Sequence, residues 1–294
     1  MRVFITGAAG FIGTATTKEL IANGHQVLGL ARSEANAKAI KSMGAEVHRG
    51  SLEDLDSLRN GAKETDGTIH LAFIHDFSKF AENGQIDKTA IEAMGEALAG
   101  TGKPFIVTSG TLLVAPGRLA TEEDAVMPGL PRVSESAGLA FASRGVRAMA
   151  VRLPQVHGGD GKCGLVNYLL NIAREKGVSA YIGDGSNRWS GAHRLDVAHL
   201  YRLALERGTA GRSYHAVAEE GVRARDIAEI VGRQLRLPVA PIAPEKASEH
   251  FGTMAMFVAR DGAASSALTQ RWLGWKPTQI GLIADISRPG YFNV

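Results

Sequence analysis

The sequence predicts an α/β fold: a doubly wound parallel sheet followed by a smaller C-terminal substrate lobe. Three observations lead there. Short apolar segments alternate with helical segments through the first half of the 294 residues. A turn with three regularly spaced glycines joins the first strand to the first helix. Beyond about residue 155 the alternation loosens, so residues 1–155 read as the sheet-bearing half and 156–294 mainly as the lobe, with part of the sheet able to return late in the chain.

The elements follow in order. Arg2–Thr6 is a short apolar strand, and in the helix after it Ile12, Thr16 and Leu20 share one face. Asn23-Gly24 ends that helix. Residues 25–31 form the second strand, a helix runs to Gly44, and 46–48 are the third strand. Ser51 is the expected cap of a helix whose first turn carries Glu53 and Asp54. Residues 68–72, 104–108 and 148–153 are the fourth to sixth strands, with a helix over 87–98. In the second half, helices are expected over 165–176, 196–206 and 223–235, and short strands over 179–182 and 213–217. Three prolines keep 237–244 out of any helix interior.

Composition narrows the function. Apolar residues make up 45% and charged residues 21%, the usage of a folded globular chain. A net charge of +3 without a dense basic run speaks against nucleic acid or a membrane surface as partner. One cysteine, Cys163, allows no internal disulfide and reads as a structural or incidental thiol. No apolar leader or bilayer-length segment stands out, which leads to an expected cytoplasmic location.

The informative segment is Thr6-Gly7-Ala8-Ala9-Gly10-Phe11-Ile12-Gly13. Unpaired N–H groups at a helix start attract a diphosphate. Gly7 allows the tight turn, Gly10 allows close phosphate approach, and Gly13 lets the helix pack on the strand. The spacing G-x-x-G-x-x-G at a strand–turn–helix junction points to a Rossmann-type dinucleotide site. The second strand ends Ala31-Arg32-Ser33, where a cofactor with a free ribose hydroxyl usually meets an acid. Arg32, aided by Ser33, would instead grip a 2′-phosphate, so the expected cofactor is NADP(H). Ligands lie at the carboxyl ends of parallel strands. Gly50, Ser51 and Leu52 are therefore expected near adenine. Leu71, Ala72 and Phe73 should lie beside the diphosphate-ribose, and Val107, Thr108 and Ser109 near nicotinamide, with Leu153, Pro154 and Val156 following the sixth strand. Ala9, Phe11 and Ile12 complete the turn.

Together with the glycine turn, further segments carry a family resemblance: Gly50–Asp54, His70-Leu71-Ala72, residues 152–158, His193-Arg194-Leu195-Asp196-Val197-Ala198 and Leu273-Gly274-Trp275-Lys276-Pro277. The chain resembles the extended short-chain dehydrogenase/reductases, the NAD(P)-dependent epimerase/dehydratase group. The resemblance implies chemistry at a carbonyl or alcohol carbon beside nicotinamide. It also implies a Ser/Thr near the fifth strand, a Tyr-x-x-x-Lys proton relay on a later helix and, as one option, a homodimer paired through sheet-flanking helices. The relay is missing here. None of Tyr168, Tyr181, Tyr201, Tyr214 and Tyr291 is followed four places on by lysine. By alignment Arg132 takes the tyrosine position and Ser136 the lysine position, while Gly110, between Ser109 and Thr111, takes the serine position.

Candidate substitutes are Thr111 or Ser109 to orient a carbonyl and Arg132 to stabilise charge on its oxygen, a proton coming from water or a histidine. Local backbone bonds for the two hydroxyls, and an ion pair with Glu135 for Arg132, are the competing structural roles. His157 and His193 are expected at the cleft, with a structural role as the alternative. His70, His75 and Asp76 match no strong zinc spacing, so no metal is expected. Phe73, Phe77, Tyr181 and the Tyr291-Phe292 pair are candidates for an apolar pocket, and Trp189, Trp272 and Trp275 for packing. The first functional expectation is an NADPH-dependent reductase of a small carbonyl substrate. A non-catalytic NADP(H) sensor and a sugar-nucleotide epimerase or dehydratase are the alternatives.

Overall fold

The computed structural model describes residues 1–159 and 164–292; Cys163 lies outside the described residues. Strands β1 (Arg2–Thr6), β2 (Gln26–Ala31), β3 (Glu46–Arg49), β4 (Gly67–His70), β5 (Pro104–Gly110) and β6 (Arg147–Leu153) form one sheet. Four further strands are β7 (Gln155–His157), β8 (Ser179–Ile182), β9 (Arg188–His193) and β10 (Ser213–His215). The last two are β11 (Glu219–Arg223) and β12 (Val239–Ile242). The main sheet has seven parallel strands in the order β10-β6-β5-β4-β1-β2-β3. β10 thus comes back from the second half of the chain to extend it.

The first eight α-helices in chain order are α1 (Phe11–Ala22), α2 (Glu34–Ser42), α3 (Leu55–Lys63), α4 (Phe80–Leu98), α5 (Ser134–Leu139), α6 (Val166–Lys176), α7 (Arg194–Arg207) and α8 (Ala224–Leu235). Period-two alternation divides the sheet's two faces. Val3, Ile5, Ile106, Met149 and Val151 join one buried cluster with Leu20 of α1 and Leu200 of α7. Phe4, Phe105, Val107, Ala148 and Ala150 join another with Leu58 of α3 and Met94 of α4. A third cluster holds the lobe together through α6, α8 and the short helical turns over residues 247–258. Among the described residues no helix is long and apolar enough to cross a membrane.

Several elements depart from the sequence expectation. The α3 cap is Asp54, which accepts from the Ser57 N–H at 3.1 Å; the Ser51 hydroxyl accepts from Glu53 N instead. α4 starts at Phe80, seven residues before the expected 87. Gly84 is buried in this helix, where a Cβ would meet the Pro131 carbonyl oxygen at 2.6 Å. Its absence lets the 131–132 backbone lie against the helix. β7, β9 and β11 form a second small sheet that sequence reading missed, being short and without clean alternation. β12 contains Pro241 and pairs on one side only, with β8, as proline in a strand requires.

Two local constraints hold the sheet's active edge. A Cβ on Gly13 would lie 1.9 Å from the Gly7 carbonyl oxygen, so only glycine lets α1 sit this close to the turn after β1. Across β6 and β10, Arg152 is fully enclosed. Its Nε donates to both Glu135 carboxylate oxygens at 2.9 and 3.1 Å, and its Nη2 donates to the Asp124 carbonyl at 2.7 Å. His215 Nε2 lies 3.0 Å from Arg152 Nη1, and its Nδ1 lies 2.7 Å from the Ser265 carbonyl. Donation from Arg152 and to Ser265 requires the neutral imidazole. Burial and the Arg152 charge push His215 down to about 4.

Gly13→Ala should cost about 1–3 kcal/mol of unfolding free energy in urea, because α1 must back away from the turn. His215 binds its proton more weakly folded than unfolded. Its stabilising effect is therefore complete above about pH 6.5 and lost as pH falls toward about 4. The loss is on the order of 3 kcal/mol. Urea titrations across that window should show the decline, and His215→Gln should flatten it.

Candidate active site

A cleft of about 940 Å³ runs along the carboxyl ends of the main sheet. Its first wall is the turn after β1. Gly7 adopts a left-handed φ of 72°, and a Cβ there would press on the Ala72 amide nitrogen at 2.8 Å. Gly10 caps α1 without any side-chain bond, and no acid occupies the first helical turn. The N–H groups at this helix start are thus left open to an anion. Gly7, Ala9, Gly10, Phe11, Ile12 and Gly13 all line the cleft, and these glycines form the kind of bare cradle that a dinucleotide diphosphate fits.

The exposed Arg32 at the end of β2 lines the same cleft, with Asn36 one turn into α2 and Gly50, Ser51 and Leu52 opposite. Ser33 does not line it; its oxygen caps α2, accepting from Asn36 N at 3.2 Å. Leu71, Ala72 and Phe73 follow β4 along the wall, and Leu153, Pro154 and Val156 follow β6. Val107 and Thr108 do not line the cleft. Val107 packs against Gly138, and the Thr108 hydroxyl is consumed inside the sheet, 2.6 Å from the His70 carbonyl and 2.8 Å from the Tyr201 hydroxyl.

Ser109, Thr111 and Arg132 converge on the cleft. Ser109 also bonds the buried Glu135 carboxylate. Burial would raise that acid, but Arg152 and the Ser213 and Ser109 hydroxyls hold it below the usual carboxylate range. Thr111 lies 2.9 Å from the Ser190 hydroxyl, which lines the cleft beside it. The Arg132 guanidinium carbon lies over the Phe73 ring, 4.1 Å from the ring centre. Its Nε donates to Ser134 Oγ at 2.9 Å and its Nη2 to the Thr108 carbonyl at 3.0 Å. Nη1 has no protein partner among the described residues.

Among the described residues no carboxylate is ion-paired with Arg132, and Glu135 is committed to Arg152. The balancing charge sits one hydroxyl away: Ser134 donates to Asp87 Oδ2 at 2.5 Å. Asp87 Oδ1 lies 3.1 Å from His70 Nε2, and His70 Nδ1 lies 2.8 Å from Thr6 Oγ1. Burial pushes Asp87 up, yet His70, the Arg132 charge and Ser134 bring it below its ordinary value. Burial pulls Arg132 down, and Asp87 opposes that pull.

The two histidines expected at the cleft stand elsewhere. His157 is wholly enclosed, with Nδ1 2.8 Å from Asp285 Oδ2 and its ring edge-on to His193 at 5.4 Å. His193 caps α7 by accepting from Leu195 N at 3.3 Å. Both are turned toward the packing between β7, α7 and the C-terminal segment. Tyr181 and the Tyr291-Phe292 pair are likewise absent from the cleft wall. Trp272 and Trp275 pack with the main core, and Trp189 packs with the lobe cluster while also bordering the cleft. Sequence reading missed His75, Phe80, Gln155, Asn167, Tyr168, Asn171, Ser190 and Phe257, all of which line it. They come from five separate segments, and no local spacing signals them. Among the described residues Arg32 and Arg132 are the only fully charged side chains on the cleft wall.

Comparison with known proteins agrees with this architecture. Residues 3–125 match the model of the NAD dependent epimerase/dehydratase family. An uncharacterized Schizosaccharomyces pombe protein is 48% identical over 295 residues, covering 99% of this chain and 100% of the relative. A Dictyostelium discoideum sterol-4-alpha-carboxylate 3-dehydrogenase, decarboxylating, is 28% identical over 247 residues, 76% of this chain and 73% of that one. The crystal structure of a Streptomyces venezuelae dTDP-glucose 4,6-dehydratase with NAD bound superposes with a TM-score of 0.77 at 19% identity. That match covers 100% of this chain and 97% of that one, a likeness of fold. With its glycine cradle at the head of a seven-stranded parallel sheet, the chain belongs to the NAD-dependent epimerase/dehydratase family.

Proposed function

We propose that this protein is an NADPH-dependent reductase of aldehydes or ketones in which Arg132 replaces the family's tyrosine. The observation that carries this reading is the placement of Arg132. It shares one cleft with the glycine turn and Thr111, is clamped at two nitrogens, and keeps a third free.

The residues that would hold the dinucleotide are Gly7, Gly10 and Gly13 at the diphosphate and Arg32 at the 2′-phosphate. The absence of any aspartate or glutamate among the described lining residues supports the extra phosphate. Bound there, the reduced cofactor would supply a hydride, two electrons with one proton, to the carbonyl carbon. Thr111 would orient the carbonyl oxygen by turning its hydroxyl proton from the Leu153 carbonyl, 3.4 Å away, toward the cleft. Arg132 stabilises the negative charge that grows on that oxygen, with its donors fixed beforehand and little reorganisation required. Arginine keeps its proton, so the product alcohol takes one from water. The Dictyostelium relative, by name a dehydrogenase, supports redox chemistry at a substrate carbon. The loss of the tyrosine relay favours a second reading, an NADP(H) sensor, because cofactor binding needs none of the relay.

Arg32→Ala should weaken NADPH binding by about tenfold to a hundredfold in calorimetry and leave NADH within about twofold. Arg132→Ala should lower kcat by about 10²–10³ at nearly unchanged KM, and Arg132→Lys should recover only part, since an ammonium cannot reproduce the planar fork. Tight NADPH binding with no deuterium transfer to any carbonyl of a broad panel would instead establish the sensor.

A further inference from the structure

The far end of the cleft is built from rings. Phe73, under the Arg132 guanidinium, meets Phe80 at 6.0 Å between ring centres. Phe80 stacks on Phe77 at 6.0 Å with the planes 28° apart. Phe77 then meets Tyr168 of α6 edge-on at 5.2 Å, and Phe257 closes the group at 5.3 Å from Phe77 and 5.9 Å from Phe80. All five line the cleft, and Phe73, Phe77, Phe80 and Tyr168 are only partly buried. Each of these four residues keeps part of its surface exposed where it borders the cleft. This continuous aromatic wall starts at the guanidinium and extends several ring widths from it.

Resting on the reductase reading above, we infer that the substrate is an uncharged, flat aryl carbonyl compound of about two fused rings, and that it lies along this wall with its carbonyl toward Arg132. Two features of the wall point to that class. Rings converging from three parts of the chain offer faces and edges, which favour an arene over a saturated ring system of equal bulk. A nucleotide-sugar would bring two phosphate charges to this end. Among the described lining residues the charges are Arg32, at the opposite end of the cleft after β2, and Arg132, already bound at two nitrogens.

The test is calorimetry on the full chain, with and without saturating NADP⁺, using 1-(naphthalen-2-yl)ethanone, its decahydronaphthalenyl counterpart and UDP-glucose. The naphthyl ketone should bind at least about tenfold tighter than the saturated ketone, as a pair of ring contacts would give. UDP-glucose should not compete with it. Phe77→Leu should erase most of that preference while NADPH affinity stays unchanged. Equal or tighter binding of the saturated ketone, or displacement by UDP-glucose, overturns the inference, and the wild-type comparison gives this answer even if the variant misfolds. Turnover separates the two claims. Reduction of both ketones without a ring preference removes the aryl slot and keeps the reductase, whereas a ring preference in binding without any NADPH oxidation keeps the slot and removes the reductase.

Discussion

A buried run of side chains, Thr6–His70–Asp87–Ser134–Arg132, ties the floor of the cleft together. It passes from β1 through β4 and α4 to the segment before α5. Each link satisfies a polar atom that would otherwise be desolvated without a partner, a cost of about 1–3 kcal/mol for each such group. Thr6 also accepts from the Ala72 amide at 3.2 Å, so the wall following β4 is anchored by the same run. The glycine turn, the β4 loop and Arg132 therefore occupy one rigid frame. A guanidinium held in this way lines the cleft without having to be ordered when a ligand arrives.

The second enclosed ionic group does a different task. Glu135 and Arg152 neutralise one another behind the cleft, and His215, Ser213 and the Asp124 carbonyl complete the shell. This pair draws β10 from the second half of the chain into the sheet. It also removes Glu135 as a partner for Arg132. The neighbouring positions 132 and 135 thus diverge. One arginine is neutralised at a distance through Ser134 and faces the cleft, while the other is neutralised on contact and serves the fold. A direct carboxylate on Arg132 would cancel the charge that an oxygen in the cleft is to feel.

The family resemblance and the parallel sheet were legible because they depend on local signals: an apolar strand, a glycine turn and a helix start in fixed order. Positions set by strand ends were legible too, at the level of segment. Within a segment, depth along the strand decided the outcome: Ser109, nearer the carboxyl end, reaches the cleft wall, whereas Val107 on the same face packs on Gly138 and Thr108 on the opposite face bonds Tyr201. The helix over Phe80–Leu98 began earlier than expected because the cost of Gly84 in a helix is offset by close packing against Pro131, a contact invisible along the chain.

The sequence by itself determined the glycine cradle, the arginine after the second strand and that no tyrosine is followed four places on by lysine, since these reside in residue identity at short spacing. Tertiary structure alone decided that His157 would be spent on Asp285 and His193 on a helix cap, and that Arg132 would lie over Phe73. It alone gathered Phe73, Phe77, Phe80, Tyr168 and Phe257 into one wall. The physical reason is range. Turn geometry and helix-end charge act over a few residues, whereas burial, charge compensation and ring contact are set by whichever distant segments the packed core brings together.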